Sequence, residues 1–283
     1  MSRHGARLIG LLLPCAAFAQ GTYLPAPASS APASSASVAL HASYGAYAAG
    51  APIAEVEAGF SFSSVTYQMK LGYHTTGMVG FFFRGHQFDF VQGAWRGKDA
   101  VPSHFLGQGN WRGTDRLAEI DYQRGKPIVR VLEPPNAAER EHVPDTLQAN
   151  TIDTLSALAG LIRSVGDTGR CETTVRTYDG RRALEIQANT VGEEMLEPTS
   201  RSTFAGKALR CDFAGRMLAG FRFGGNGEND GKAMHGSAWL APITKGGPPL
   251  PVRMVFETRW FGDATMYLTG IGPGSDMRAA QGQ

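Results

Sequence analysis

Apolar and polar residues alternate along most of the chain from Val38 onward. A period of two predicts β-strands, because successive side chains of a strand point to opposite faces of a sheet. Glycine and proline residues, as in Gly50-Ala51-Pro52, separate the runs and are typical of tight turns between antiparallel strands. The segments predicted as strands are 40–46, 53–62, 65–73, 87–95, 103–112, 116–123, 128–132, 171–178, 181–188, 209–221, 237–241, 251–259 and 264–269.

The hydrophobic period changes between Thr151 and Val165, where apolar residues recur on one helical face. Asp153 or Thr151 is the candidate N-cap of this segment, and Gly166 is the candidate stop. We therefore predict one long helix whose apolar stripe packs against a sheet. The stripe consists of Leu155, Leu158, Ala159, Leu161, Ile162 and Val165.

The dipeptide Asp179-Gly180 lies between two predicted strands. Both residue types tolerate positive φ, so the pair predicts a type I′ β-hairpin. The sequence shows no internal repeat and no second compositional break within residues 38–271, which predicts a single domain there. The expected fold class is mainly β (α+β): a large antiparallel sheet, curved or partly closed into a barrel, with one long helix against it.

The first nineteen residues have the pattern of a cleavable signal peptide. A basic start, an apolar stretch at residues 8–13 and the ending Ala17-Phe18-Ala19 predict export, with cleavage after Ala19. Cys15 offers the alternative of a lipoprotein, which the proline before it disfavours. The apolar stretch is shorter than the roughly 20 residues needed to span a membrane, and no later segment reaches that length, so we expect no transmembrane segment in the mature chain.

Both ends of the mature chain differ in composition from the predicted domain. Residues 20–37 are rich in proline, alanine and serine, which predicts a disordered linker, and residues 272–283 are expected to be a disordered tail. Without the leader, 25 basic side chains balance 25 acidic ones. The absence of a basic excess argues against nucleic acid as a partner and against membrane binding by charge alone.

Two cysteines remain after cleavage, Cys171 and Cys211. Export places them in an oxidising compartment, so we expect a disulfide bond between them. The alternative, a redox pair or a metal site, requires close spacing or neighbouring histidine ligands, and the sequence has neither.

Several short motifs resemble, in their order and spacing, those of the exported bacterial family known as domain of unknown function 3108. The resemblance covers most of residues 38–270. It implies a periplasmic location and a curved antiparallel sheet around a helix on its concave side, similar to the fold of periplasmic lipoprotein carriers. It implies no catalytic residues. The motifs are Thr75-Thr76-Gly77-Met78-Val79-Gly80, Trp95-Arg96-Gly97-Lys98, Asp153-Thr154-Leu155-Ser156-Ala157-Leu158, Tyr178-Asp179-Gly180-Arg181-Arg182 and Leu209-Arg210-Cys211.

Catalytic and metal-binding motifs are absent from the sequence. The histidines lack metal-ligand spacing, and neither G-x-S-x-G nor S-x-x-K occurs. The loop at residues 224–232 has partial EF-hand spacing, but Ser237 stands where a bidentate glutamate is needed, so a flexible hairpin loop is the preferred interpretation. We therefore expect neither an enzyme nor a bound cofactor or metal.

One uninterrupted apolar run, Met78-Val79-Gly80-Phe81-Phe82-Phe83, lies between two predicted strands. Burial on both sides would make it core, whereas a position at the mouth of a curved sheet would make it the wall or lid of an apolar pocket. Trp95 and Trp111 are candidates for the same pocket, although large aromatic residues are core anchors by default.

Basic residues surround these strands. A solvated sheet face is the simpler interpretation, and a site for an anionic headgroup is the alternative. The headgroup candidates are Arg84, Arg96 and Lys98, with Arg112 and Arg116 nearby.

Two functions remain open at this point. The first is a binding module that holds a lipid, an acyl chain or a lipidated partner in the concavity of the sheet. The second is a structural or assembly factor of the cell envelope, with a fully packed sheet and no ligand.

Overall fold

The computed structural model describes residues 37–82, 84–111, 113–225, 230–258 and 262–274. The predicted signal peptide, the predicted linker up to residue 36, and residues 275–283 of the predicted tail lie outside this described part. Phe83 and Arg112, two of the candidate site residues, also lie outside it.

The described chain is mainly β-sheet, as the alternating pattern predicts. All thirteen strands of one sheet pair antiparallel. They are β1 (Val38–Ala48), β2 (Ala51–Phe62), β3 (Thr66–Thr75), β4 (Gly85–Arg96), β5 (Asp99–Trp111), β6 (Thr114–Gln123), β7 (Lys126–Glu133), β8 (Thr173–Tyr178), β9 (Ala183–Leu196), β10 (Gly206–Ala219), β11 (Met234–Pro242), β12 (Pro249–Thr258) and β13 (Gly262–Pro273).

The strands follow one another in two meanders, β1 to β7 and β8 to β13. Pairing of β1 with β13 joins the two meanders into a sheet whose edge strands are β7 and β8. The connection from β7 to β8 carries a 3₁₀ turn (Asn136–Ala138), a short helix α2 (Asp145–Gln148) and the long helix α3 (Thr154–Thr168). A further short helix, α1 (Gly77–Phe82), lies between β3 and β4.

The two edges of the sheet approach each other and form a nearly closed barrel. Ile152, just before α3, forms a parallel bridge with Thr177 of β8, and its carbonyl accepts a hydrogen bond from the backbone N–H of Tyr178 at 2.9 Å. On the other side, the guanidinium of Arg181 donates to the carbonyl oxygens of Glu133 and Pro134 at the end of β7. Main-chain contacts therefore tie β8 to the segment before α3, and one buried arginine links the β8–β9 loop to the end of β7.

Helix α3 begins where the sequence predicts and ends later. Asp153 is the N-cap, and its carboxylate accepts the backbone N–H of Ser156 at 2.8 Å. Gly166 was expected to stop the helix, which is wrong: Gly166 is helical, and the helix ends at Gly169. Gly169 adopts the left-handed conformation (φ +67°) and donates its N–H to the carbonyl of Val165, which is a common way to end a helix.

The hairpin between β8 and β9 exists, but its turn is not type I′. Its loop is the four residues 179–182, and Tyr178 pairs with Ala183. Gly180 alone in the loop has a positive φ (+84°). The Asp179 carboxylate accepts the backbone N–H groups of Arg181 and Arg182 at 2.9 and 2.7 Å, so a side chain replaces the second positive-φ residue in shaping the turn.

Strand β13 continues further than expected. Gly272 and Pro273 pair with His41 and Leu40 of β1. The prediction that a disordered tail starts at residue 272 is therefore wrong, because residues 272 and 273 belong to strand β13.

The predicted disulfide bond is present. It joins Cys171, just before β8, to Cys211 on β10, with Cα atoms 5.8 Å apart. Both cysteines are fully buried in the main hydrophobic core. Within the described ranges, no helix is long and apolar enough to cross a membrane.

Candidate functional site

An interior cavity of about 540 Å³ lies between helix α3 and the sheet. Most of its wall is apolar, with residues from α3 facing residues of strands in both meanders. The large apolar side chains of the wall are Leu71, Phe105, Leu155, Leu158, Leu161, Ile186, Phe213, Leu240 and Met254.

The exposure of α3 shows why this space exists. Ala159 and Ile162 are 0% and 1% exposed, because they pack into the main core. Leu158 and Leu161, on an adjacent part of the same helix, are only partly buried and line the cavity. The apolar stripe of the helix is therefore wider than the surface that packs against it.

Three carboxyl groups line the polar end of the cavity, those of Asp89, Asp153 and Asp179. Asp89 of β4 accepts a hydrogen bond from the amide of Gln87 at 2.7 Å. Burial raises the pKa of Asp89 to about 6, although the bond from Gln87 acts in the opposite direction. Burial likewise raises the pKa of the N-cap Asp153 to about 6, against the hydrogen bonds from Ser156.

A buried chain of hydrogen bonds anchors α3 beside this polar end. The Ser156 hydroxyl donates to Asp153 Oδ2 at 2.6 Å, which leaves the Tyr67 hydroxyl as the donor to Ser156 Oγ at 2.7 Å. Both Ser156 and Asp153 are essentially inaccessible to solvent. The chain therefore serves to fix the helix on β3, since a ligand in the cavity cannot reach the hydroxyl of Ser156.

Five arginines, which we call the arginine cluster, line a smaller pocket of about 200 Å³ next to the interior cavity. Arg116 lies on β6, Arg181 and Arg182 in the β8–β9 loop, Arg140 after the 3₁₀ turn, and Arg222 after β10. The pocket and the interior cavity adjoin. The side chains that line both are Tyr73, Gln87, Arg116, Arg181 and Arg182.

Two members of the arginine cluster are paired with carboxylates. Arg116 binds Glu139 through two hydrogen bonds of 2.9 and 2.7 Å, which hold the pKa of Glu139 below its usual range. Arg182 donates to Asp179 at 2.9 and 2.7 Å. Burial raises the pKa of Asp179, but the charge and hydrogen bonds of Arg182 outweigh it, so that this pKa lies below its usual value.

The other three members have no carboxylate within ion-pair distance among the described residues. Arg181 is buried and bonds to main-chain carbonyls, and burial, with Arg116, lowers its pKa. Arg140 is 9% exposed and donates one bond of 2.8 Å, from Nη1 to the carbonyl of Gly220. Burial, with the charges of Arg182 and Arg222, lowers the pKa of Arg140 to about 10.

Close packing around Gly220 holds this arrangement together. Gly220 has a positive φ (+85°), and a Cβ there would collide with the carbonyl oxygen of Arg181. Only glycine lets the end of β10 approach the β8–β9 loop this closely. Beyond the pocket, Trp111, Arg140, Arg182 and Arg222 also line a larger cleft of about 1150 Å³.

The described part of the apolar run, residues 78–82, does not form core, which was the first interpretation. Strand β3 ends at Thr75, and Gly77, with φ +59°, begins helix α1. Met78, Phe81 and Phe82 are 75%, 77% and 65% exposed, and Val79 is partly buried. These described members line none of the three cavities above.

The two tryptophan candidates have different environments. Trp95 stacks at 4.6 Å from the ring of Tyr67, lies under the guanidinium of Arg163, and donates to the carbonyl of Ser63. It is a packing residue beside α3 and lines none of these cavities. Trp111 at the end of β5 lines the arginine pocket and the outer cleft.

The predicted headgroup residues do not come together with the cavity. Arg84, Arg96 and Lys98 are exposed and line none of the three cavities described. Among the members of the predicted basic group that the structure describes, only Arg116 enters the arginine cluster. The signal that could have found Arg181 and Arg182 is their position directly after Asp179-Gly180, because a tight turn presents its side chains at a sheet end. No local pattern marks Arg140 or Arg222.

In the part of the chain that the structure describes, no group of three or more histidine, cysteine, aspartate or glutamate side chains is arranged to hold a metal ion. The site combines an apolar wall with carboxyl and guanidinium groups.

Comparison with known proteins adds a fold relative and a family. The crystal structure of a beta-barrel-like protein of the domain of unknown function DUF1849 from Brucella abortus is similar in fold, with a TM-score of 0.54 and 12% identity, over 84% of this chain and 98% of that chain. No curated protein matches the sequence significantly. The family described as protein of unknown function (DUF3108) matches residues 42–269, and the chain belongs to this family.

Proposed function

We propose that this protein is a binding module that holds an apolar chain, as part of a lipid, an acyl group or a lipidated partner, in the interior cavity. The observation that carries this proposal is the cavity of about 540 Å³ with its largely apolar wall. Small-molecule sites typically measure roughly 300–1,000 Å³ and have apolar walls with a few polar groups. The cavity meets both conditions.

Helix α3, in this proposal, lies on the concave side of the sheet and limits how far the interior collapses. Each buried methylene of a ligand chain would contribute about 0.8 kcal/mol by leaving water. Leu158 and Leu161 are partly buried without a ligand, so a bound chain would cover apolar surface that the fold leaves uncovered.

The proposed location is the bacterial periplasm, after cleavage behind Ala19. A fully buried disulfide between Cys171 and Cys211 supports an oxidising compartment. Intact-mass measurement of the protein from a periplasmic fraction tests the cleavage site: a mature chain beginning at Gln20 is expected, and a chain retaining residues 1–19 contradicts the proposal.

Binding is tested with N-phenyl-1-naphthylamine, an uncharged apolar dye that fluoresces when it leaves water. We expect the purified protein to bind the dye, and decanol to displace it. Ala157→Trp, at a partly buried cavity position on α3, should reduce dye binding by filling the space. Val191→Trp, which adds the same side chain at an exposed position on β9, is the matched control.

An interior that binds no dye, or equal binding by Ala157→Trp and Val191→Trp, would contradict the proposal. Circular dichroism of both variants establishes that they are folded. The alternative function, an envelope assembly factor without a ligand, requires a fully packed interior, and it would gain support from the same negative result.

A further inference from the structure

We propose that the ligand is an anionic amphiphile, and that the arginine cluster binds its phosphate or carboxylate group while its chain occupies the interior cavity. This inference rests on the proposed function, since it specifies the ligand of the same site. The anionic group is thereby assigned to residues other than the headgroup candidates predicted from the sequence, Arg84, Arg96 and Lys98.

The first support is an unbalanced positive charge. Glu139 and Asp179 neutralise Arg116 and Arg182. Arg140, Arg181 and Arg222 retain their charges without a carboxylate partner among the described residues. Like charges repel strongly in a partly desolvated site, so the fold keeps an arrangement that a bound anion would stabilise.

The second support is an unused donor on a buried side chain. Arg140 is nine-tenths buried, and its Nε–H has no hydrogen-bond partner among the residues that the structure describes. A buried N–H without a partner is costly and uncommon in folded proteins. Because Arg140 lines the arginine pocket, an anion bound there is positioned to accept this hydrogen bond.

The third support is the continuity between charged and apolar surfaces. Arg116, Arg181 and Arg182 line both the arginine pocket and the interior cavity. A molecule with an anionic group at one end and an apolar chain at the other can therefore contact both surfaces at once. Guanidinium groups suit oxyanions in particular, because their parallel N–H groups match two oxygens of a phosphate or carboxylate.

Isothermal titration calorimetry of the purified protein with decyl phosphate, decanol and inorganic phosphate separates the contribution of the anionic group from that of the apolar chain. We expect decyl phosphate to bind roughly tenfold or more tightly than decanol, as charge-assisted hydrogen bonds imply. Inorganic phosphate, which lacks the chain, should bind more weakly than decyl phosphate. Decyl phosphate is used below its micelle-forming concentration, and decanol is used below its solubility limit.

Arg222→Gln is the main variant, because Arg222 is exposed and its side chain makes no hydrogen bond or ion pair among the described residues, so that folding should persist. It should weaken decyl phosphate by about three- to tenfold and leave decanol unchanged. Arg140→Lys, which keeps the charge and removes the guanidinium, should have a similar effect. Arg170→Gln, at an arginine with 69% exposure outside these cavities, is the matched control.

The outcomes distinguish this inference from the proposed function. Equal affinities for decanol and decyl phosphate, unchanged in Arg222→Gln and Arg140→Lys, overturn the anionic ligand and leave the apolar site standing. Binding of inorganic phosphate without binding of decanol or dye overturns the apolar site. Loss of decyl phosphate binding in Arg96→Gln but not in Arg222→Gln places the anion elsewhere and also overturns the inference.

Discussion

Two parts of the apolar face of helix α3 differ in how completely they are packed. Ala159, Ile162 and Val165 are buried in the main core, whereas Leu158 and Leu161 border a cavity. All five residues belong to one apolar stripe with one helical period. The difference teaches that amphipathicity decides which face turns inward, while the shape of the opposing sheet decides whether that face is covered.

We expect the strands that form part of the cavity wall to depend on the disulfide bond for their stability. Strands β8, β9 and β10 supply Val175, Ile186 and Phe213 to the cavity wall, and the bond between Cys171, just before β8, and Cys211 on β10 ties these strands together. The double variant Cys171→Ser/Cys211→Ser should lose about 4 kcal/mol of unfolding free energy, the value of closing a loop of about 40 residues. Urea denaturation measures the loss. A change below about 1 kcal/mol would show that packing alone holds the wall.

Truncation on each face tests the comparison directly. Ile162→Ala should cost roughly 2–5 kcal/mol, because it opens a space in a packed core. Leu158→Ala should cost about 1 kcal/mol, because its side chain already borders empty space. Both are measured by urea denaturation of the same protein. Equal losses would mean that the cavity side is as tightly packed as the core side.

The carboxyl groups at the polar end make the cavity side sensitive to pH. The pKa of Asp153 is about 6 in the folded state and near 3.8 in the unfolded chain, so the folded state holds the proton more tightly. Its contribution is present below about pH 4 and is lost as pH rises through 6, by up to about 3 kcal/mol. Asp89 acts in the same direction.

Asp153→Asn should therefore flatten the decline in unfolding free energy between pH 4 and 6.5. Asparagine remains a good N-cap, so the helix start is retained. Denaturation at a series of pH values measures the slope, with Asp167→Asn on the exposed end of the same helix as the control. An unchanged slope would contradict the burial of an ionised Asp153.

The smallest expected effects concern two glycines of α3. A Cβ at Gly160 would lie 3.8 Å from the Cβ of Ala100, an ordinary contact, so Gly160→Ala should stabilise the protein by about 0.5–1 kcal/mol through helix propensity. At Gly166 a Cβ would lie 3.3 Å from Pro249, which is tighter. Gly166→Ala should therefore gain less. Melting temperatures compare the two, and a larger gain at Gly166 would contradict the packing described for this end of the helix.

Local patterns predicted much of the fold. Alternation located the strands, since burial of one sheet face imposes a period of two. The sequence-based prediction failed at element ends and turns. Gly166 was predicted to stop α3, whereas the left-handed Gly169 ends the helix. The turn after β8 was predicted to be type I′, whereas the side chain of Asp179 shapes it. These outcomes depend on which of several suitable residues the packing selects.

The candidate site was predicted less well than the fold. Among the ligand candidates, Trp111 lines the arginine pocket, whereas Met78, Phe81 and Phe82 lie on an exposed helix and Trp95 packs beside α3. A run of large apolar residues indicates burial, yet the positive φ of Gly77 turns this run out of the sheet. The hydrophobic pattern of the sequence gives no sign that the apolar side chains of α1 are exposed.

The sequence by itself determined the mainly β class, the start of α3 and the pairing of Cys171 with Cys211, because hydrophobic periodicity and the positions of the cysteines are properties of the chain. Only the tertiary structure decided that Leu158 and Leu161 face a cavity and that five arginines meet beside it. Arg181 and Arg182 come from one loop, whereas Arg116, Arg140 and Arg222 come from other parts of the chain. Their proximity arises because the edges of the sheet close on each other, and closure is a property of the whole sheet.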